Sequence, residues 1–473
     1  MLILAITMQY NLLNKDTIVA LATAHGTGAI ALIRVSGPQV FDMVERVFFT
    51  KAQKPYALAG KKSHTIHYGY IMAGGVIVDE VLVSLFRNPH SYTGEDSVEI
   101  SCHGSQFIQQ QLIQLLCRQG ARPANPGEFT LRAFLNKKLD LSQSEAVNDL
   151  IYSNSSVSHQ VAMQQMRGGF SSKIKLLRGK LVDFASLIEL ELDFSEEDVE
   201  FADRTELKNL IGSIQHIIDK LIESFEVGNV IKHGIPVAIV GKPNAGKSTL
   251  LNTLLDDEKA IVSEIPGTTR DVIEDEMTID GVLFRFIDTA GIRDTSDVIE
   301  QIGVNRALDA MRNSAIIIYL FDAHELSRQD LLMELEKIKG IAGTSQILPV
   351  CNKIDTEDLS ELQQEFKGIA NLLFISAKTH LYIDDLRSKL VALFDNRTVH
   401  VTETVVTNAR HADALRKAGA ALYRVAEGLG KNIQTDLLAQ DIRHALQALG
   451  EITGEVHTEN LLENIFSKFC IGK

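Results

Sequence analysis

The first chemistry in this chain sits in a short loop between an apolar run and a helical one. In PVAIVGKPNAGKSTLLNTLL, residues 236–255, the loop reads Gly241-x-x-x-x-Gly246-Lys247-Ser248. Its backbone N–H groups, from Asn244, Ala245 and Gly246 into the helix start at Thr249, can cradle phosphates. Lys247 would reach the β/γ-phosphates, and the Ser248 hydroxyl would ligate Mg²⁺. A chance glycine turn is the structural alternative, disfavoured by the strand before and the helix after. Further along, NKID (352–355) follows the apolar run QILPVC. The Asp355 carboxylate can accept two hydrogen bonds from the N1–H and amine of guanine, a donor pair that adenine lacks. Asn352 would support the base and Lys353 would lie along it. In SAK (Ser376, Ala377, Lys378) the Ala377 N–H could meet guanine O6. With Asp288-Thr289-Ala290-Gly291 between them, in this order and spacing, the set points to GTP.

The residue after Gly291 is Ile292, in DTAGIRD (288–294). Many nucleotide switches place a water-orienting glutamine there, and isoleucine has no group for that work. PGTTRD (266–271) offers two hydroxyls, and Thr269 is the candidate second Mg²⁺ ligand; an ordinary polar loop explains those residues as well. Asp297-Val298-Ile299-Glu300 reads as a capping box, with Asp297 at the N-cap and Glu300 at the third helical position. EMTI-Asp280-Gly281-VLFRF carries a two-residue Asp-Gly turn between β-like runs and predicts a hairpin. Part of this sheet is therefore expected to be antiparallel.

These residues need elements to hold them. Residues 1–130 contain short β-like runs (TIVALATA, AIALIRVSG, GVIVDEVLVSLF, SVEISCHG) separated by glycine-bearing turns. Residues 131–232 turn helical, 233–397 alternate strand and helix, and 398–473 are helical again. The expected fold class is α/β plus α: an N-terminal α+β domain, and a helical domain into which a Ras-like P-loop domain is inserted. Insertion succeeds where chain ends lie close together.

A chain of 473 residues is too long for one ordinary core. With 45% hydrophobic and 23% charged residues it is an ordinary globular composition. No apolar run approaches a membrane span, and the opening MLILAITM lacks the basic flank and cleavage site of a signal peptide. Cys102, Cys117, Cys351 and Cys470 show no metal-ligand spacing, which fits a reducing cytoplasm. Net charge is −14. A protein gripping RNA alone would normally show a basic surface, so any RNA contact is expected to use a local basic patch and help from a partner protein.

GKPNAGKS, GTTRD, DTAGIRD, NKID and SAK together resemble the translation-factor-related GTPases with an apolar residue after the DTAG glycine. PGEFTLRAFLNKKLDLSQSEAVNDLI (126–151), SYTGEDSVEISCHG (91–104) and FCIGK (469–473) narrow the resemblance to the MnmE family, also called TrmE, of tRNA-modification GTPases. The match runs from Asp16 to Lys473. The resemblance implies a folate-binding N-terminal domain that forms a homodimer. It also implies a complex with the FAD-dependent partner MnmG, a heterotetramer or larger. Together they would install a carboxymethylaminomethyl or aminomethyl group on C5 of the wobble uridine of certain tRNAs. The added carbon would come from 5,10-methylenetetrahydrofolate, for which a 5-formyl analogue can stand in; FAD enters only through the partner. GTP hydrolysis would require K⁺ and transient pairing of two G domains.

Carried residue by residue, the resemblance implies K⁺ ligation by Asn244, by the carbonyls of Ser263 and Ile265, and by Thr268. Ser248 and Thr269 match the Mg²⁺ ligands. Glu300 matches a glutamate that orients water, which answers the question Ile292 raises: charge compensation by a cation beside Lys247, and a carboxylate holding the water. Arg34, Glu99, Lys138 and Lys473 match folate-contacting positions. Read on its own, Arg34 shares a strand face with Ile30 and Leu32 and needs a partner. Glu99 between Val98 and Ile100 reads as a solvent-facing strand position, and Lys138 as part of a charged helical region. Cys470 is either a small buried hydrophobe or a reactive thiol near the folate. Two other classes stay open beside this one. A ribosome-assembly or translation-regulating switch would use residues 1–130 only for docking. A membrane-remodelling GTPase would need an anchor or a basic amphipathic helix.

Overall fold

The computed structural model describes residues 16–193, 204–256, 275–287, 308–356, 358–395, 404–431 and 435–473. The chain divides into two compact units: residues 1–148, 165–197 and 442–473, and residues 149–164 and 198–441.

The first unit is built on seven strands: β1 (Ile18–Leu21), β2 (Ile30–Ser36), β3 (Phe48–Phe49), β4 (Thr65–Ala73), β5 (Val76–Phe86), β6 (Ser97–His103) and β7 (Arg122–Pro123). They lie in the order β3-β4-β5-β6-β2-β1-β7, antiparallel except for the parallel β1–β7 pair. Period-2 alternation sends Ala31, Ile33 and Val35 of β2 and Val98 and Ile100 of β6 into one core. The helices Val40–Glu45 and Gln106–Arg118 cover that face with Val40, Val44, Leu112 and Leu116. The opposite face keeps Ile66, Tyr68 and Leu82 exposed. Arg34 points to that opposite face with Ile30 and Leu32, away from the main core and toward a small separate cluster of Ile18, Ala20, Ala124 and Phe129.

A charged network ties the start of the described chain to the helix Glu128–Leu135. Arg132 Nη2 donates to Asp16 Oδ1 at 2.8 Å and to Glu128 Oε1 at 2.9 Å, and Nη1 to Glu95 Oε2 at 3.1 Å. Arg122 pairs with Asp16 and Glu128 at 2.7 Å each. Arg132 and Glu128 are each only 7% exposed at the side chain. Burial works to raise the Asp16 and Glu128 pKa values, but hydrogen bonds and charge from Arg122 and Arg132 leave both below the usual carboxylate range.

The second unit holds a six-stranded sheet of β8 (Ile235–Val240), β9 (Asp275–Ile279), β10 (Val282–Phe286), β11 (Ile316–Asp322), β12 (Gln346–Asn352) and β13 (Leu373–Phe374). The order is β13-β12-β11-β8-β10-β9, parallel but for the β9–β10 hairpin. Asp280 (φ 49°) and Gly281 (φ 80°) both take the left-handed conformation that a two-residue hairpin turn demands. The mostly parallel α/β sheet with one antiparallel edge agrees with the expected fold class. The Thr278 hydroxyl of β9 donates to the Asn154 carbonyl at 3.2 Å. The long helices Arg204–His233 and Ala409–Gly430 pack along each other in the same unit. Among the described residues no helix is long and apolar enough to cross a membrane.

Arg132→Met leaves buried carboxylates without their counter-charge and should destabilise the first unit by about 3–5 kcal/mol. A carboxylate with a depressed folded pKa adds stability that is complete above its unfolded pKa and lost as pH falls through the folded one. Urea titrations should therefore show the wild-type advantage over Arg132→Met at pH 7 and its progressive loss below about pH 4.

Candidate functional site

The glycine-rich loop leaves β8 at Gly241 and enters the helix Lys247–Asp256. Gly246 takes φ +97°, and a Cβ there would lie 2.3 Å from Asn352 Nδ2, so only glycine fits. Asn244, at φ 65°, is exposed at the loop tip. Lys247 Nζ donates to the carbonyls of Gly241 at 2.9 Å and Lys242 at 2.8 Å, and its half-buried setting lowers its pKa. The ammonium therefore lies across the ring of loop N–H groups, where phosphate oxygens would find it.

Asn352 ends β12 and is buried. Its Nδ2 donates to the Ala245 carbonyl at 2.8 Å, and its Oδ1 accepts the Ala377 N–H at 2.9 Å. The Ala377 carbonyl takes the Thr253 hydroxyl at 2.8 Å. One amide thus joins the phosphate loop to SAK. The Ala377 N–H, the group expected to meet guanine O6, donates here to Asn352 Oδ1, a buried side-chain oxygen that needs a donor. Asp355 projects exposed from the turn Ile354–Thr356, and Ser376 Oγ donates to its Oδ1 at 2.5 Å. That hydrogen bond holds the Asp355 pKa below its ordinary value. Lys353 pairs through Nζ with Asp322 Oδ2 at 2.8 Å, and Asp322 Oδ1 accepts the His324 N–H at 3.0 Å. Burial pushes the Asp322 pKa up, but the bonds from Lys353 and His324 bring it below normal. Asp322 belongs to none of the sequence motifs. Its signal was a lone carboxylate ending the apolar run IIIYLFD. Lys378 is exposed beside Ala377, Ser248 and Thr249 lie in the first turn of the loop helix, and Ser376 is buried.

Ser263, Ile265, Thr268, Thr269, Asp288, Thr289, Ala290, Gly291, Ile292 and Glu300 lie outside the described residues. Among the described residues, no cluster of three or more His, Cys, Asp or Glu has metal-site geometry.

The first unit gathers a second constellation. Arg34 faces Glu99 across the β2–β6 register, with Nε and Nη2 at 2.9 and 2.8 Å from Glu99 Oε1. Its guanidinium lies over the rings of Tyr92 at 4.9 Å and Phe129 at 5.7 Å. Glu99 is thus a paired carboxylate rather than a bare solvent-facing position. Arg34 Nη1 also reaches the Gly472 carbonyl at 3.5 Å, 438 residues along the chain. The chain end docks through the Gly127 N–H, which donates to the Cys470 carbonyl at 3.3 Å. Gly472, at φ +98°, passes so close to β1 that a Cβ would fall 2.2 Å from the Leu21 carbonyl. Burial and the charge of Arg34 lower the Lys473 pKa against the opposing pull of Glu99 and Cys470. Cys470 is exposed, which removes the buried-hydrophobe alternative; burial instead pushes Cys102 up to about 11 and Cys351 up to about 12. Lys138 lies past the end of the helix Glu128–Leu135 rather than in it, and its Nζ donates to the Pro89 carbonyl at 3.0 Å.

With both constellations placed, comparison with known proteins gives the following. A family model described as "GTP-binding protein TrmE N-terminus" matches residues 17–138, and one described as "MnmE helical domain" matches residues 141–470. A protein of Cytophaga hutchinsonii named "tRNA modification GTPase MnmE" is 54% identical over 97% of this chain and 98% of its own length. Relatives of the same name from Christiangramia forsetii and Flavobacterium johnsoniae are each 53% identical, over 97% and 98% of this chain and 99% and 100% of theirs. The chain belongs to the MnmE family of tRNA-modification GTPases.

Proposed function

We propose that this chain hydrolyses GTP and, with an MnmG-type FAD protein, modifies C5 of the wobble uridine of certain tRNAs. The carbon would come from methylenetetrahydrofolate. The reading divides the chain into an N-terminal folate domain (1–130), a helical domain (131–232 and 398–473) and an inserted G domain (233–397). The observation that carries the GTP end is the buried Asn352 amide, which brings the phosphate loop, NKID and SAK to one place. Asp355, held by Ser376, is the guanine-reading carboxylate in this reading, and Lys247 the phosphate cation. Mg²⁺ suits the Ser248 hydroxyl at the loop-helix junction, with Thr269 as its second protein ligand. K⁺ would take Asn244 at the loop tip, with Ser263, Ile265 and Thr268; bound there it adds positive charge against the phosphates. Glu300 would hold the attacking water in place of Ile292.

For folate, the Arg34–Glu99 pair, Lys473 and the ring of Tyr92 supply a cation, a carboxylate and a stacking face around one spot. Lys138 would extend the cationic side. Cys470, exposed on the docked chain end, would bring its thiol to such a ligand. The apolar outer face of β2, β4 and β5, with Ile30, Ile66, Tyr68 and Leu82 exposed, supports a homodimer formed through this unit.

Asp355→Asn should lower GTP affinity by at least ~10²-fold while raising that for xanthosine triphosphate, because the amide donates where the carboxylate accepted; nucleotide-displacement titrations read both. Hydrolysis in KCl should exceed that in NaCl at equal ionic strength, and Asn244→Ala should abolish the difference. Equal rates in both salts would remove the K⁺ assignment. Cells carrying Cys470→Ser should lose the C5-substituted uridine from their tRNA nucleosides while the purified variant keeps wild-type GTP turnover. Full modification would make the thiol dispensable.

A further inference from the structure

In a chain of net charge −14, residues 46–78 contain no aspartate or glutamate, yet carry Arg46, Lys51, Lys54, Lys61, Lys62, His64 and His67. The segment between β3 and β4 is a built loop. Glu45 Oε1 accepts the N–H groups of Leu58 at 2.5 Å and Ala59 at 2.6 Å. Arg87 donates to the carbonyls of Lys61 at 3.0 Å, Leu58 at 3.2 Å and Ala59 at 2.5 Å, with its guanidinium 4.5 Å from the Phe41 ring centroid. Leu58 is fully buried as a plug. Backbone bonds from Thr50 N–H to Lys54 O and from Gln53 N–H to Thr50 O close the tip at 2.8 Å each.

The charges beneath the loop are thus spent on its backbone. Lys51, Lys54, Lys61 and Lys62 stay exposed, and among the described residues none of them forms an ion pair. Aromatic faces lie among them: Lys61 Nζ sits 5.4 Å from the Tyr56 ring, and exposed His64 packs edge-on against Phe86. Lysines beside the short edge strand β3 would also discourage edge-to-edge pairing, but that task needs no loop pinned from two sides. A lipid surface is usually met by a basic amphipathic helix, whereas a fixed irregular loop of lysines with ring faces suits phosphates and bases.

We propose that the loop of residues 50–64 is an RNA phosphate-binding surface, the local basic patch through which an acidic chain contacts tRNA. The inference rests on the tRNA reading above and adds where the contact lies. The test replaces Lys51, Lys54, Lys61 and Lys62 with Gln together in the full chain and measures binding of an unmodified tRNA transcript across a KCl series. Each lost phosphate contact should reduce the slope of log affinity against log salt by about 0.7–0.9. The fourfold variant should therefore bind at least ~10-fold more weakly at low salt, with a slope shallower by roughly 3. The fourfold Lys→Arg variant should bind as wild type does, and GTP turnover should be unchanged in both. Unchanged tRNA affinity and slope would overturn the proposal. So would a loss of binding to phosphatidylserine vesicles with tRNA binding intact, which would make lipid the occupant. Wild-type chain that hydrolyses GTP but does not bind tRNA would sink this surface and leave the GTPase reading standing, whereas absence of GTP turnover would strike that reading itself.

Discussion

One buried side-chain amide holds the nucleotide end of this molecule together. Asn352 spends its donor on Ala245 and its acceptor on Ala377, segments 107 and 25 residues away in the chain. Each bond is worth only about 1 kcal/mol net, but an orphaned buried partner costs about 1–3 kcal/mol, so the asymmetry fixes the geometry. Gly246 is constrained by the same amide, since any side chain there would collide with it. Thr253 closes the circuit by binding the Ala377 carbonyl from the helix that the loop begins. Asp355 and Lys247 therefore work from a frame that none of their own contacts would supply.

Much of this frame was legible in the residues. The glycine-rich loop, NKID and SAK are local patterns, and a local pattern carries its backbone conformation with it. The Asp280–Gly281 hairpin was readable for the same reason: both turn residues need positive φ, and that chemistry is written in two letters. The contact that local letters do not carry is that of the Ala377 N–H with Asn352. Its partner lies on another strand, and only burial decides that the Asn352 oxygen must claim it. Asp322 escaped notice likewise, because a carboxylate ending a strand says nothing of the lysine that will come beside it just past the end of β12.

The second constellation was less legible. Strand alternation placed Arg34 with Ile30 and Leu32 but could not say which sheet face meets the core. That depends on the helices Val40–Glu45 and Gln106–Arg118, which cover the side opposite Arg34. Glu99 then becomes a partner through the β2–β6 register, a non-local fact. The docking of residues 470–473 is more distant still, and only the family resemblance, through Lys473 and Cys470, pointed to it.

That docking changes what the last residues do. Gly472 lies against the Leu21 carbonyl while its own carbonyl approaches Arg34. Gly127 holds Cys470 by its carbonyl, and the residue stays exposed. The tail is therefore one wall of the Arg34–Glu99 constellation, and it brings Lys473 close enough for both charges to act on its ammonium. A ligand bound beside Arg34 would meet a thiol, an ammonium and a guanidinium whose spacing depends on one glycine passing over β1. Filling that gap with a methyl group would shift the tail's thiol and ammonium relative to Arg34 without touching any reactive atom.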